Sequence, residues 1–320
     1  MTQIGTLVGI DVSKKKLDWC IRGVAKATVE NSVSGCRALA EALKLHNVEM
    51  AVIEASGGYQ KTVENALRKA GFAVLTFNPK RVRDFAKAAG RRAKTDPIDA
   101  DTIAWFGEVF RQETVIARDA DREELADLMS ERQGFVDMKT QCENRGEHKR
   151  SALGEKLRRG TLERIERCIA ELDKAIAAKI AKTESLAEDA KLLLSVPGLG
   201  DTAVAALLAW LPELGRMRST KIAALVGVAP FDDKSGERKG VQHIAGGRRD
   251  LRNLLFMPVM GAATRHNPIL KRYYQRLIAQ GKEAKVALIA CMHKLLRILN
   301  IMLARRQSWN PPPLATGAVA

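Results

Sequence analysis

The stretch Thr6-Leu-Val-Gly-Ile-Asp-Val12 decides the fold of the first third of this chain. It is an apolar, strand-like run that carries one acid, Asp11, near its end. A second apolar run, from Met50 to Ile53, is followed directly by another acid, Glu54. Acidic residues are poor strand formers, so an acid that closes an apolar strand indicates a site at the edge of a sheet.

Two more acids, Asp96 and Asp99, lie one helical turn apart in Lys94-Thr-Asp-Pro-Ile-Asp-Ala100. Helix capping alone would explain them, because Asp at the N-cap, Pro at the next position and an acid in the first turn make a good helix start. Residues three apart also share a helix face, which suits metal ligation. With two acids already placed at strand ends, we favour ligation, and we expect Asp18 and Asp101 to lie outside the site.

Four converging carboxylates form a set of hard oxygen ligands suited to Mg²⁺, the ion that assists phosphoryl transfer. The sequence therefore predicts Asp11, Glu54, Asp96 and Asp99 as catalytic metal ligands, with Mg²⁺ as the cofactor.

The order of elements in residues 1–115 predicts an α/β domain. Three strands are followed by a helix, a strand, a helix, a strand and a further helix. This is the order of an RNase H-like (RuvC-like) domain, and the acids stand where that fold keeps its metal site.

The remainder reads as all-α. Residues 116–190 are charged and helical, with a coiled-coil-like seam formed by Leu162, Ile165, Ile169, Leu172, Ile176 and Ile180. The seam predicts either one arm of a helical hairpin packed on its own domain or a dimer contact, with Gly154 and Gly160 interrupting the helix before it. Residues 191–305 predict a compact helical domain, and the Pro-rich residues 306–320 predict a disordered tail.

The positive charge is concentrated near the end of the chain. The formal net charge is +16, and residues 191–320 hold 20 Lys and Arg against 7 Asp and Glu. A localised basic excess indicates a polyanionic partner. We expect nucleic acid rather than a membrane, because the sequence shows neither a basic amphipathic anchor nor a transmembrane run.

Cysteine and histidine usage points away from zinc. Five scattered cysteines include no CxxC pair, and the five histidines are equally dispersed. The N-terminal residues lack the pattern of a secretory signal. We expect a cytoplasmic protein with reduced thiols.

Two segments of the basic region predict phosphate contacts. Val196-Pro-Gly-Leu-Gly200, between two apolar helices, has the pattern of a helix-hairpin-helix turn, whose Gly198 and Gly200 would let backbone N–H groups approach a phosphate. After Gly246-Gly247, Arg248, Arg249 and Arg252 begin a helix at the spacing of one face and predict a phosphate clamp.

Between them, Gly227-Val-Ala-Pro-Phe-Asp-Asp-Lys-Ser-Gly-Glu-Arg-Lys-Gly240 is too polar for a core element. Lys234, Arg238 and Lys239 flank Ser235 and would stabilise charge developing on an attacked phosphate. No histidine within the run offers a general base, so chemistry alone favours a turn serine.

Taken in order, GIDVSKKKLD, IEASGGY, KTDPIDA, SVPGLG, GVAPFDDKSGERKG and GGRRDLRNLLFMPVM resemble the DEDD-type insertion-sequence transposases over nearly the whole chain. The resemblance implies a RuvC-like domain joined through a helical region to a C-terminal transposase domain. It assigns the DEDD acids to Asp11, Glu54, Asp96 and Asp99, and a nucleophilic serine to Ser235.

The resemblance implies a DNA transposase or recombinase that moves its own insertion element. Its serine attacks a DNA phosphodiester, and a 3′-hydroxyl of the partner strand later resolves the phosphoserine link. The partners implied are donor and target DNA, a structured bridge RNA that guides both, and further copies of the chain in a dimer or tetramer whose protomers share active sites.

Two alternatives remain open. A RuvC-like junction resolvase or nuclease would need the acids and use water, so that Ser235 would be dispensable. A non-catalytic nucleic-acid-binding protein would tolerate loss of the acids but not loss of the basic residues. A sugar kinase of the actin fold is disfavoured, because the sequence lacks its second phosphate motif.

Overall fold

The structure is a computed structural model that describes residues 6–90, 100–110, 119–147, 151–231, 234–235, 238–239 and 243–310. The chain divides into two compact units, residues 1–117 and residues 118–320. Unit 1 is mixed α/β and unit 2 is largely helical, which agrees with the predicted fold classes.

Unit 1 contains a mixed five-stranded sheet in the order β3-β2-β1-β4-β5. Its strands are β1 (Thr6–Val12), β2 (Lys16–Ile21), β3 (Ala25–Glu30), β4 (Val48–Glu54) and β5 (Ala73–Phe77). The first three strands pair antiparallel, whereas β4 is parallel to β1 and β5 is parallel to β4. Side chains alternate between the two faces of each strand, and both faces of β1 are buried.

Helices cover both faces of this sheet. Unit 1 contains the described helices α1 (Val33–Leu45), α2 (Lys61–Lys69), α3 (Pro79–Ala88) and α4 (Ala100–Val109). One core joins Val8 and Ile10 of β1 to α1 and α2. The opposite core joins Leu7 and Val52 to α3 and α4. The order of elements is the one that the sequence predicts, and the sheet is consistent with an RNase H-like domain.

Unit 2 begins with a helical hairpin, α5 (Ala120–Asn144) and α6 (Ala152–Lys182), with a short 3₁₀ turn after α5. The two helices pack along each other, and the predicted seam supplies the buried side chains Ile165 and Ile176. The hairpin prediction is therefore confirmed. The predicted helix breaks are wrong: Gly154 and Gly160 lie inside α6, which begins after Ser151, and Ser151 caps the helix through Gly154 N–H.

The rest of unit 2 packs around one apolar core that also includes Leu125, Met129 and Ile176 of the hairpin. Its described helices are α7 (Glu184–Leu194), α8 (Asp201–Trp210), α9 (Ser219–Val226), α10 (Arg249–Gly261), α11 (Pro268–Ala279) and α12 (Ala284–Arg305). Two small ribbons follow α9, in which β6 (Pro230–Phe231) pairs with β9 (His243–Ile244), and β7 (Lys234–Ser235) with β8 (Arg238–Lys239).

Helix α12 is long and apolar enough to cross a membrane by length and hydropathy alone, with a mean hydropathy of 1.8 in its most apolar window. This composition belongs to a core helix, since 56% of that window is buried and the helix contributes Cys291, Leu295 and Leu299 to the core. In the segment after α12, Arg306 forms ion pairs with two acids of α7, and the backbone N–H of Trp309 donates to Ser195 Oγ. Residues 306–310 therefore pack on the rest of unit 2. Residues 311–320 lie outside the described residues.

Candidate active site and basic surfaces

Asp11 and Glu54 lie at the same edge of the sheet. Strands β1 and β4 are parallel and in register, with Ile10 opposite Ile53, so the two acids follow this pair on adjacent strands. Alternation along the strands puts Asp11 on the face of Gly9 and Glu54 on the face of Val52, which is the α4 side. The sequence thus places two carboxylates side by side where two buried strands end.

The pKa of Glu54 indicates that the two carboxylates interact electrostatically. Burial raises the pKa of the Glu54 carboxyl, and the negative charge of Asp11 raises it further. Arg83 on α3 acts in the opposite direction and lowers it. A half-buried acid beside a second acid is the arrangement that a bound cation relieves. Sequence reasoning missed Arg83, although a cation near the start of the helix after β5 was a visible signal.

Helix α4 begins at this edge. A Cβ on Gly9 would come within 2.2 Å of the Ala100 carbonyl oxygen, and one on Gly107 within 2.5 Å of a Val52 methyl carbon. The first turn of α4 therefore lies on β1 beside the strand end, and its last turn lies near Leu7. Asp96 and Asp99 lie outside the described residues, but Ala100, which follows Asp99 in the sequence, lies against Gly9, two residues along β1 from Asp11.

The loop after β4 is held by side-chain amides. Gly57 and Gly58 adopt φ values of +64° and +106°, which favour glycine. Gln60 Oε1 accepts hydrogen bonds from Ser56 N–H, Ser56 Oγ–H and Gly58 N–H. Asn31 Nδ2 donates to the carbonyls of Ser13 and Tyr59, and so ties this loop to the β1–β2 turn.

The two acids that we expected to lie outside the site interact with other side chains of unit 1. Asp18 stands opposite Asp11 on β2, but it accepts a hydrogen bond from Thr28 and pairs with Lys16 at 3.0 Å. The Thr28 hydrogen bond, together with Lys16, lowers the Asp18 pKa against the opposing effect of burial. Asp101 Oδ1 accepts a hydrogen bond from Arg22 Nε at 3.3 Å. Among the residues described, no three Asp, Glu, His or Cys side chains form a metal-binding group.

In unit 2 the glycines of the Val196–Gly200 turn have different roles. Gly198, at φ +96°, is needed for packing, since a Cβ there would lie 2.6 Å from Ala262 Cβ. Its role as a phosphate contact stays a prediction. Gly200 is exposed, precedes α8 without a side-chain cap, and has open space around its Cα.

Ser235 lies at the end of β7, where its backbone pairs with Arg238 of β8. Lys234 pairs with Lys239 in the same ribbon. The ribbon therefore brings three cationic residues and the candidate nucleophile onto two adjacent two-residue strands. For these four residues the structure describes the backbone.

Two of the three arginines at the start of α10 serve the fold. Arg248 makes a paired contact to both carboxylate oxygens of Glu213 at 2.6 Å and donates to the Trp210 carbonyl at 2.8 Å. Arg252 Nη1 donates to the carbonyls of Val226, Gly227 and Gly246. These two guanidinium groups hold the loop before α10, and the three-arginine phosphate clamp stays a prediction.

Arg249 differs from its neighbours. It is exposed, and no ion pair to it is found among the described residues. Of the three arginines, it is the one whose charge faces solvent.

The comparisons with known proteins agree with this architecture. Residues 8–148 match the DEDD-type transposase model of the IS110 group, and residues 190–275 match the model of the Transposase IS116/IS110/IS902 family. The Pilin gene-inverting protein of Moraxella bovis is 27% identical over 327 aligned residues, covering 95% of this chain and 98% of the relative. The Pilin gene-inverting protein of Moraxella lacunata matches at the same identity and coverage.

The first family match ends within the α5–α6 hairpin and contains the sheet edge with Asp11 and Glu54. The second spans the helices and ribbons that follow, including Ser235 and Arg249. Two transposase domains in this order account for most of the sequence, and the chain thus belongs to the IS110 family of transposases and recombinases.

Proposed function

We propose that this protein recombines DNA by metal-assisted phosphoryl transfer at the sheet edge of unit 1, with Ser235 as the nucleophile. The observation that carries the proposal is the placement of Asp11 and Glu54 on adjacent parallel strands, with the start of α4 at the same edge. DNA inversion, the activity in the names of the Moraxella relatives, is one outcome of such chemistry when both sites lie on one molecule.

The donor set fits a hard divalent cation. Two adjacent carboxylates, one of them half-buried with a raised pKa, supply oxygen ligands suited to such an ion. Asp11 and Glu54 would hold Mg²⁺ together with Asp96 and Asp99, which precede in the sequence the helix that starts at this edge. When bound, the ion would stabilise negative charge on the attacked phosphate.

The β7–β8 ribbon contains the residues that carry out the covalent step. The Ser235 hydroxyl gives up its proton as its oxygen forms a bond to the DNA phosphorus, the bond from phosphorus to the 3′-oxygen breaks, and the released 3′-oxygen takes up a proton to become a hydroxyl. Lys234, Arg238 and Lys239 would stabilise the developing charge. Reversal by a 3′-hydroxyl of the partner strand regenerates the serine and completes the exchange.

The same family membership supports three finer proposals. Donor and target DNA are the substrates, a structured guide RNA selects them by base pairing, and the protein acts as a homo-oligomer. The strong positive charge of residues 191–320 suits either nucleic acid.

The test is recombination of a donor and a target plasmid in cells that also carry the non-coding DNA flanking the element. Asp11→Asn, Glu54→Gln and Ser235→Ala are each expected to abolish product. Asp18→Asn is the matched control, because it removes a carboxylate from the adjacent strand that is engaged by Lys16 and Thr28.

Each outcome has a distinct meaning. Full product from Asp11→Asn, with Asp18→Asn equally active, would overturn the metal site. Product from Ser235→Ala at the wild-type level would favour a resolvase that uses water. A protein–DNA adduct that forms with the wild type but not with Ser235→Ala would support the covalent step directly.

A further inference from the structure

A groove on unit 2 is lined by residues that have no part in the proposed active site. It runs between the first turn of α11, the outer face of α12 and the segment that follows α12, with a volume of about 710 Å³. Its lining residues are Ile269, Lys294, Ile298, Ile301, Met302, Arg305, Gln307, Ser308, Trp309 and Asn310. This volume falls in the range of pockets that take small organic ligands.

The floor of the groove is apolar and its ends are cationic. Lys294, Ile298, Ile301 and Arg305 recur at helical spacing along one face of α12. Ile301 is 46% exposed, although most of α12 is buried in the core. An exposed apolar strip bounded by two cations indicates a ligand with a flat apolar part and a negative charge.

The surrounding surface is strongly positive. Between residues 251 and 310 the sequence contains a single acid, Glu283, at the N-terminus of α12. The exposed or partly exposed cations of α11 and α12 are Lys271, Arg272, Arg276, Lys285, Lys294, Arg297 and Arg305. The next cation, Arg306, is neutralised by Glu188 and Asp189 of α7, so it is not part of this excess.

At one end of the groove the cations are crowded. Lys294 Nζ lies 4.4 Å from the centroid of the Tyr273 ring, and the Arg276 guanidinium lies 5.2 Å from the same ring. Burial lowers the pKa of Lys294, and the positive charge of Arg276 lowers it further. A phosphate at this position would relieve the repulsion between the two cations.

At the other end of the groove, the backbone N–H of Trp309 is engaged in a hydrogen bond. Its N–H donates to Ser195 Oγ at 2.8 Å, and its side chain is partly buried against the core. The aromatic residue of the groove is therefore fixed before any ligand binds.

We infer that this groove binds a single-stranded nucleic acid, with an unstacked base against Trp309 and the apolar strip, and with flanking phosphates on Lys294 and Arg305. Aromatic contact with bases combined with cationic contact to the backbone is the usual basis of single-strand binding. A duplex would not place a base in a groove beside α12, since its bases are stacked and paired. The inference concerns binding alone and is independent of the chemistry proposed for the sheet edge.

The test uses the full-length protein with a chelator present, so that binding is separated from phosphoryl transfer. Fluorescence anisotropy of short labelled DNA and RNA oligonucleotides is measured over a range of salt concentrations. In the variant Lys294→Gln/Arg305→Gln, the slope of log affinity against log salt is expected to fall by about 1.4, which corresponds to two phosphate contacts on a single strand. The control Lys271→Gln/Lys285→Gln removes the same charge outside the groove and is expected to keep the slope.

Trp309→Ala tests the base contact. Affinity is expected to fall about ten-fold with an unchanged salt slope, and Trp309→Phe should retain most of it. Tighter binding of RNA than of DNA, or the reverse, identifies the strand. Equal slopes in the two double variants, or a change in self-association instead of oligonucleotide affinity in sedimentation, would overturn the inference. Loss of recombination in the acid variants would leave these binding measurements unchanged.

Discussion

Glu54 lies beside Asp11 because β1 and β4 run parallel in a register that pairs Ile10 with Ile53. The burial of Glu54 and the negative charge of Asp11 both raise the pKa of the Glu54 carboxyl. The neighbouring strands thus bring together two like charges, and Arg83 offsets part of their repulsion.

This repulsion predicts a pH dependence of stability. A carboxyl whose pKa is raised by folding holds its proton longer in the native state, so the native state binds more protons than the unfolded state. In chelator, its contribution therefore favours folding at low pH and is lost as pH rises from the unfolded value near 4.5 through the raised folded value. Glu54→Gln is expected to raise the melting temperature near neutral pH by a few degrees.

The same variant tests for the metal. Mg²⁺ is expected to raise the melting temperature of the wild type through binding to the native state, and to raise that of Glu54→Gln much less. Asp18→Asn is the control, because Lys16 and Thr28 already engage that carboxylate. An equal response to Mg²⁺ in all three proteins would contradict a cation at this edge.

Gly9 permits α4 to lie against β1. Gly9→Ala would place a Cβ 2.2 Å from the Ala100 carbonyl oxygen and 2.3 Å from the Ala104 nitrogen, so the helix must shift. We expect a loss of about 1–3 kcal/mol in the free energy of unfolding, the usual cost of overpacking. Denaturant titration measures it.

Gly134→Ala is the matched control for that substitution. Gly134 lies inside α5, and a Cβ added there would meet no atom within 4 Å, so alanine is expected to stabilise the helix by about 0.5–1 kcal/mol. Equal effects of the two substitutions would contradict the close approach of α4.

The arginines at the start of α10 should separate in their effects. Arg248→Ala leaves Glu213, which is 7% exposed, without its partner, and is expected to cost about 3–5 kcal/mol of stability. Arg249→Ala is expected to change stability by less than about 0.5 kcal/mol. It should instead weaken DNA binding and lower the salt slope by about 1.

Thermal unfolding and anisotropy measured on the same two proteins check this prediction. Weaker DNA binding in Arg248→Ala without a loss of stability would show that the Glu213 contact does not hold in solution.

The α5–α6 hairpin predicts which leucine and isoleucine positions stabilise the monomer. Ile165 is 7% exposed, so Ile165→Ala is expected to cost about 2–5 kcal/mol. Leu157, at 63% exposed, should tolerate alanine within about 0.5 kcal/mol. Sedimentation of the Leu157→Ala protein then tests for a dimer contact outside the predicted seam: a shift towards monomer would assign the exposed Leu157 to such a contact.

The core of unit 1 was readable from the sequence because β1, β4 and β5 contain short apolar runs bounded by a turn or an acid. The positions of Asp11 and Glu54 followed from the same pattern, since an acid interrupts apolar alternation at a strand end. The packing role of Gly198 and the ion pair of Arg248 could not be predicted from the sequence. Each depends on a contact with a residue distant in sequence, Ala262 and Glu213 respectively, which local patterns do not encode.

The extent of α6 was missed for a different reason. Gly154 and Gly160 lower helix propensity, and this suggested breaks. Packing of α6 against α5, together with the Ser151 cap, outweighs that cost and carries the helix through both glycines.

The contact between Gly9 and α4 also sets when the acid edge can assemble during synthesis. The acid edge joins β1, near the start of unit 1, to a helix near its end, with β4 between them. The ribosome must therefore release nearly all of unit 1 before this centre can assemble. A nascent chain that stalls earlier carries Asp11 and Glu54 but not the docked helix, so its acid edge stays incomplete.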